Sequence, residues 1–324
     1  MGALTAEGKA ASYSSAGANL WVSGVAGEFG LDSEAKKNLN PNLNPIYFKP
    51  AILTTDVSGC EKGVSRTSLI ARYNEGNPET FFRSLFNFDV VNSRPHPSNL
   101  ECNYTNTFNG TSAAAPSISG VVALMLEKNP NLTWREVKHI LAATAEPVDL
   151  GGGFPWVTNK KNYRFNNRYG FGRANAKEAI TLAGTYSSNW GPLLEKDLFE
   201  GKENPLQVPI TSQAATQREL NLVVSTELPN LSIEAVEVVV DITHPNPNHL
   251  NVEIKSPSGT VSKLLSPVSG VATSRPNIPQ ISLLTNAFYG EDSVGKWTLT
   301  LRNSSGTTTG VLRSWGVRVY GHQP

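Results

Sequence analysis

The sequence predicts two fold classes in succession, a mixed strand-and-helix (α/β) part and then an all-β antiparallel sandwich. Three observations carry this. Up to about residue 185, short apolar runs alternate with helical stretches of period 3.6. From about residue 186, apolar residues recur at every second position with turn residues between the runs and no helix. The length of 324 residues suits about two domains of ~100–200 residues each.

In the first part, Asn19-Leu20-Trp21-Val22-Ser23-Gly24 and Ile52-Leu53-Thr54-Thr55-Asp56 read as strands, the first reached through the turn-rich run Ala11 to Gly17. Asn-Pro steps at 40–41 and 44–45 mark turns. Gly110 then gives a tight turn that opens into a long helix, with Pro116 early in it and the apolar run Ile118 to Leu126 behind. With so little polar face, that helix is expected to be buried. Asn129-Pro130 breaks it, and Thr133-Trp134-Arg135-Glu136 is a capping box opening a second helix with Trp134, Val137, Ile140 and Leu141 on one stripe. A third helix is expected to end near Ala183. In the second part, Val236, Val238, Val240 and Ile242 form one alternating row, as do Leu250, Val252 and Ile254, and Trp297, Leu299 and Leu301.

Composition excludes several classes. Hydrophobic residues at 39% and charged residues at 17% provide ample core, while 27 glycines and 21 prolines imply many turns. A net charge of +1 offers no electrostatic case for nucleic acid or an anionic membrane surface. No apolar run approaches the ~20 residues of a membrane span. Residues 1–20 lack the basic start and apolar core of a signal peptide, and Ala6 breaks the myristoylation pattern. On this reading alone the chain stays in the cytoplasm, where free buried thiols are the default for Cys60 and Cys102.

One stretch carries chemistry. In Asn109-Gly110-Thr111-Ser112-Ala113-Ala114-Ala115-Pro116, a serine stands on the first turn of a helix. Its hydroxyl is exposed there, and free N–H groups at the helix start can stabilise a developing oxyanion. The string resembles the nucleophile motif of subtilisin-like serine proteases, most closely the kexin/furin branch. The runs Ala11-Ser12-Tyr13-Ser14-Ser15-Ala16-Gly17, Thr54-Thr55-Asp56 and Tyr169-Gly170-Phe171-Gly172 are similar to stretches of the same family. So are Ser256-Pro257-Ser258-Gly259-Thr260, Gly295-Lys296-Trp297-Thr298-Leu299 and Trp315-Gly316-Val317, which resemble its P (Homo B) domain.

The resemblance implies the C-terminal part of a doubly wound parallel-sheet peptidase domain over residues 1–185, interrupted by an insertion at 61–101, and a jelly-roll-like P domain over 186–324. It implies Ser112 as nucleophile, Thr111 as oxyanion support, a Cys60–Cys102 disulfide, a polypeptide substrate, a secreted or periplasmic location and calcium. The branch's calcium-binding glutamate has no counterpart just before Thr54, where Lys49 and Pro50 stand. The family's Asp, its His in a G-H-G-T context and its oxyanion Asn are all expected ahead of residue 1, so the partner implied is a missing N-terminal catalytic segment. None of His96, His139, His244, His249 or His322 stands in that context, and each is expected at the surface, as Asp56 and Asp149 are expected in turns. Two readings stay open: a serine endopeptidase, truncated here and inactive alone, or a non-enzymatic remnant or β-sandwich interaction module. Asn103-Tyr104-Thr105 and Asn303-Ser304-Ser305 match glycosylation acceptors.

Overall fold

The computed structural model describes residues 1–30, 44–60, 62–65, 96–188, 190–212, 214–223, 229–267, 277–305 and 307–324. The Asn40-Pro41 turn and the Phe81–Phe86 patch of the expected insertion lie outside them. The chain forms two compact units, residues 1–15 with 23–127, and residues 16–22 with 128–324.

In the first unit, β1 (Gly2–Leu4) and β2 (Ser23–Val25) pair in parallel. β3 (Ile52–Thr55) pairs antiparallel with β4 (Tyr104–Phe108). The expected turn at Asn44-Pro45 is a short 3-10 helix, whose Ile46 N–H donates to Asn44 Oδ1 at 3.1 Å. Helix α1 (Thr111–Lys128) packs on the parallel pair through small residues: Ala3, Ala11, Ala26, Ala113 and Ala114 make a core against which Tyr13 and Ile52 rest. The approach leaves no room for a side chain at Gly24, where a Cβ would lie 2.7 Å from both Ala114 O and Ser117 Oγ.

The expectation that α1 is buried is corrected. Ala113, Ala114, Ile118 and Met125 are buried, whereas Leu124 is 47% and Leu126 37% exposed. Two three-residue strands cover only one face of a helix that is apolar nearly all round.

Cys60 and Cys102 form the disulfide, with Cα atoms 5.0 Å apart and 42 residues of separation. In the chain-entropy model a loop of that length is worth about 4 kcal/mol. Replacing both cysteines by serine is expected to lower stability by about 2–4 kcal/mol, read as the urea midpoint; an unchanged midpoint would show that the bridge does not constrain the unfolded chain.

The second unit holds α2 (Trp134–Thr144), the hairpin β5 (Val157–Thr158) and β6 (Arg164–Phe165), α3 (Ala176–Ala183) and the sandwich. The capping box is formed: Glu136 N–H donates to Thr133 Oγ1 at 3.3 Å and Thr133 N–H to Glu136 Oε2 at 2.8 Å. Thr133→Ala is expected to cost about 1 kcal/mol, seen as a lowered thermal midpoint; a loss under a few tenths would mean that Ser188, which also donates to Glu136 Oε1 at 2.7 Å, suffices to hold the turn.

The sandwich strands are β7 (Leu194–Glu200), β8 (Val208–Ile210), β9 (Thr216–Leu222), β10 (Ser232–Thr243), β11 (Leu250–Lys255), β12 (Val261–Leu265), β13 (Asn277–Thr285), β14 (Gly295–Asn303) and β15 (Gly310–His322). One sheet runs β13-β10-β15-β7 with β8 also on β15, the other β12-β11-β14-β9, and all the pairs are antiparallel. The predicted alternation holds: Val236, Val238, Val240 and Ile242 are buried, as are Leu250, Val252, Ile254, Trp297, Leu299 and Leu301. The border at 185/186 is a change from helix to strand, while the packing divides at 127/128. The stretch between these borders is tied to the sandwich: Asn159 Nδ2 donates to Ala287 O and Tyr289 O, and Tyr163 and Phe171 meet Tyr289 edge to face, as does Trp21 from the 16–22 segment of the same unit.

Candidate active site

Ser112 is held by the turn before it. Gly110 has φ +83°, a left-handed conformation that glycine adopts freely, and its carbonyl accepts from Ala113 N–H at 2.9 Å and Ala114 N–H at 3.4 Å. Asn109 Nδ2 donates to Glu28 O at 2.8 Å. Tyr13 Oη donates to Gly27 O at 2.5 Å. Burial raises the Tyr13 pKa above its ordinary value, and the Gly110 N–H facing the hydroxyl offsets part of that rise. Glu28 is itself buried, accepting from Ser12 N–H at 2.8 Å and Ser12 Oγ at 2.9 Å. Tyr13, Glu28 and Ser12 thus fix the turn, a support that no local sequence pattern discloses.

Above this support Ser112 is exposed, and among the described residues its Oγ and its N–H have no hydrogen-bond partner. That is what the start of a helix dictates, because the first N–H groups have no carbonyl four residues back. The geometry therefore offers a solvent-facing hydroxyl beside a free N–H. Thr111 is likewise exposed on the first turn.

The structure does not bring a base to Ser112 among the described residues, and it corrects the surface reading for His244, which is buried, while the other four histidines are partly exposed. His96 sits in a turn, its Nδ1 accepting from Ser98 N–H at 3.1 Å. His244 is fully buried, Nδ1 accepting from Asn246 N–H at 3.0 Å. His139 lies 3.0 Å from Tyr289 Oη among aromatic rings, and burial, then the charge of His322, lower its pKa. His322 stacks on Trp190 at 4.7 Å and meets Glu234. Asp56 takes up the turn role expected of it, accepting from Val64 and Ser65 N–H at 2.7 and 2.8 Å. Asp149, at φ +49°, accepts from Tyr169 Oη at 2.8 Å.

The described residues show no side-chain cluster for the calcium that the family resemblance implies. No group of three or more His, Cys, Asp or Glu side chains converges among them, and the carboxylate oxygens of Glu28 and Asp56 are already engaged by Ser12 and by turn N–H groups.

Comparison with known families identifies the stretch that carries this turn. Residues 73–172, which include the Ser112 turn, match the subtilase family, and residues 233–319 match the proprotein convertase P-domain. The chain belongs to the subtilase family. Its relatives include an extracellular serine protease of Aeromonas sobria, 28% identical over 99% of this chain and 54% of the relative. Endoprotease bli of Onchocerca volvulus is 34% identical over 67% of this chain and 32% of its own length. Neuroendocrine convertase 2 of Rattus norvegicus is 30% identical over 70% of the chain and 36% of its own length. The structure of the Aeromonas sobria protease in complex with a chaperone superposes with a TM-score of 0.78 at 26% identity, covering all of this chain and 57% of that one. The subtilase chain thus spans about half, or less, of the length of the relatives it matches. It is of the kexin type, a subtilase stretch followed by a P domain, as its order of motifs implied.

Proposed function

We propose that this chain is part of a secreted serine endopeptidase in which Ser112 is the nucleophile. The observation that supports it is the exposed Ser112 hydroxyl beside its own free N–H, on a turn fixed by Tyr13, Asn109 and Glu28. A serine hydroxyl attacks a peptide carbonyl only when a base takes its proton. That base, a histidine oriented by a carboxylate, comes from outside the described residues, together with the asparagine that completes the oxyanion site. Ser112 Oγ then bonds to the carbonyl carbon, the Ser112 N–H faces the oxyanion, and Thr111 flanks it. The amine leaves with the proton, and water releases the acyl group. Without the base the chain is inactive. The substrate is a polypeptide.

The test joins the chain to the sequence encoded in frame ahead of residue 1 and treats the product with a fluorophosphonate. One adduct at Ser112 together with peptide hydrolysis is expected. A folded joined protein that neither takes up the reagent nor cleaves would sink the reading and favour the interaction module.

A further inference from the structure

Helix α2 grips the connection that runs from α3 to β7. His139 follows Arg135 by four positions and Glu136 by three, the spacing that sets it beside both on the helix surface. Each of the three meets a different part of the connection. A terminal nitrogen of Arg135 donates to Gly191 O at 2.7 Å, and Ser188 Oγ donates to Glu136 Oε1 at 2.7 Å. The His139 ring lies 5.2 Å from that of Tyr186 and 5.1 Å from that of Trp190. Trp190 is the middle of this clasp: His322 of β15 stacks on it at 4.7 Å, and the Arg135 guanidinium lies 5.3 Å from its ring centre.

Only one of the three α2 groups changes charge between pH 5 and 8. Arg135 is always protonated. Burial would raise the Glu136 pKa, but the bonds from Thr133 and Ser188 outweigh it and hold it below the ordinary value. His139 is the group that titrates. Its Nδ1 lies 3.0 Å from Tyr289 Oη, in the connection after β13, and its ring lies 6.5 Å from that of Tyr163 on the β5–β6 hairpin. The charges that reach it are those of His322 on β15, Glu234 on β10 and Glu136 on its own helix. Burial lowers its pKa, the charge of His322 lowers it further, and the two glutamates act against both.

A proton on His139 alters the clasp in two ways. Both ring nitrogens become donors, so Tyr289 Oη can no longer donate to Nδ1. Trp190 then has a second positive charge beside that of Arg135, and a third when His322 is protonated as well. We propose that this clasp is a pH-operated latch, which fixes the connection from α3 to β7 on α2 at neutral pH and frees it when His139 takes a proton. The sign follows from burial. A histidine depressed in the folded state takes its proton more readily once released, so the hold is full above the ordinary histidine value of about 6.5 and weakens as pH falls below it. The latch uses none of the Ser112 machinery and stands whether or not the chain cleaves peptides.

The test is hydrogen exchange of the whole chain, read by mass spectrometry at about pH 7.5 and 5.5, on either side of that value. Rates are corrected for the pH dependence of intrinsic exchange. The reporters are the Thr185 and Tyr186 amides, which donate to Leu182 O and Ala183 O, and the control is β11 in the sandwich. The reporters are expected to exchange about tenfold faster at the lower pH, the factor that one unit of pKa shift supplies, while β11 does not change. In His139→Phe and in His139→Gln, neither of which titrates, the reporters exchange equally at both pH values. The glutamine variant decides where the phenylalanine variant does not fold. No acceleration in the wild type overturns the latch, and so does acceleration that persists in a folded neutral variant. Equal acceleration of β11 overturns it too, because the whole unit then loosens rather than the connection.

Discussion

Replacing Ser112 by alanine in the joined, active protein is expected to lower turnover about 10⁶-fold, the size of the effect of losing the nucleophile in subtilisin itself. The fold should not notice. The hydroxyl is exposed and partnerless among the described residues, and alanine is the better helix former, so the thermal midpoint stays or rises slightly. Loss of activity without loss of stability separates a nucleophile from a structural serine. Thr111 gives the scale: if its hydroxyl donates to the oxyanion, Thr111→Val costs about 10²-fold, the usual effect of losing one such donor. His96→Ala should change nothing, because its ring nitrogen is already engaged with the Ser98 N–H in its own turn. Activity that survived in Ser112→Ala but vanished in His96→Ala would overturn the assignment.

What the sequence disclosed was what short-range physics controls. Alternation placed Val236 to Ile242 and Trp297 to Leu301 inward because successive strand side chains point to opposite faces. The capping box at Thr133 and Glu136 closed because both partners lie within one turn. Gly110 and Ser112 were legible for the same reason, and the cysteine pair followed from resemblance to a family. What failed was long-range. The apolar pattern of α1 says that its faces want cover but not what supplies it, so Leu124 and Leu126 stand exposed. His244 and His322 read as surface residues because nothing nearby in sequence announces their packing. His322 meets a glutamate 88 positions away, and Asn109 is held by a carbonyl 81 positions away. Periodicity carries no information about such pairs.

The same long-range contacts make the second large effect. Arg135, at the start of α2, reaches Glu234 on β10 with Nε at 3.0 Å from Oε2, and with a terminal nitrogen on Oε1; its other terminal nitrogen donates to Gly191 O at 2.7 Å. His322 Nδ1 lies 2.8 Å from the same Oε1. The arginine and glutamate side chains are only 11% and 9% exposed. Arg135→Ala therefore leaves a buried carboxylate with His322 as its remaining side-chain partner and is expected to cost about 3–5 kcal/mol. Acid should report the cause. Burial by itself would raise the Glu234 pKa, but the hydrogen bonds from Arg135 and His322 outweigh it and hold it below the ordinary glutamate value. A carboxyl depressed in the folded state contributes stability that is present above the unfolded pKa and is lost as pH falls through the folded one. His139, kept neutral by burial, adds its own acid lability, but it is common to both proteins and largely cancels in their difference. The gap between wild type and Arg135→Ala should thus be widest near pH 7 and start to narrow above the ordinary glutamate value of about 4.3, where the carboxyl buried without its arginine takes a proton, closing only below it, where the arginine-bound carboxyl does. Replacing the pair together, Arg135→Met with Glu234→Leu, should recover most of the loss, since no charge is then left buried. Urea unfolding of the three proteins across that pH range decides it. A gap that stays constant with pH would mean that Arg135 stabilises through its stem and its bond to Gly191, with Glu234 a bystander.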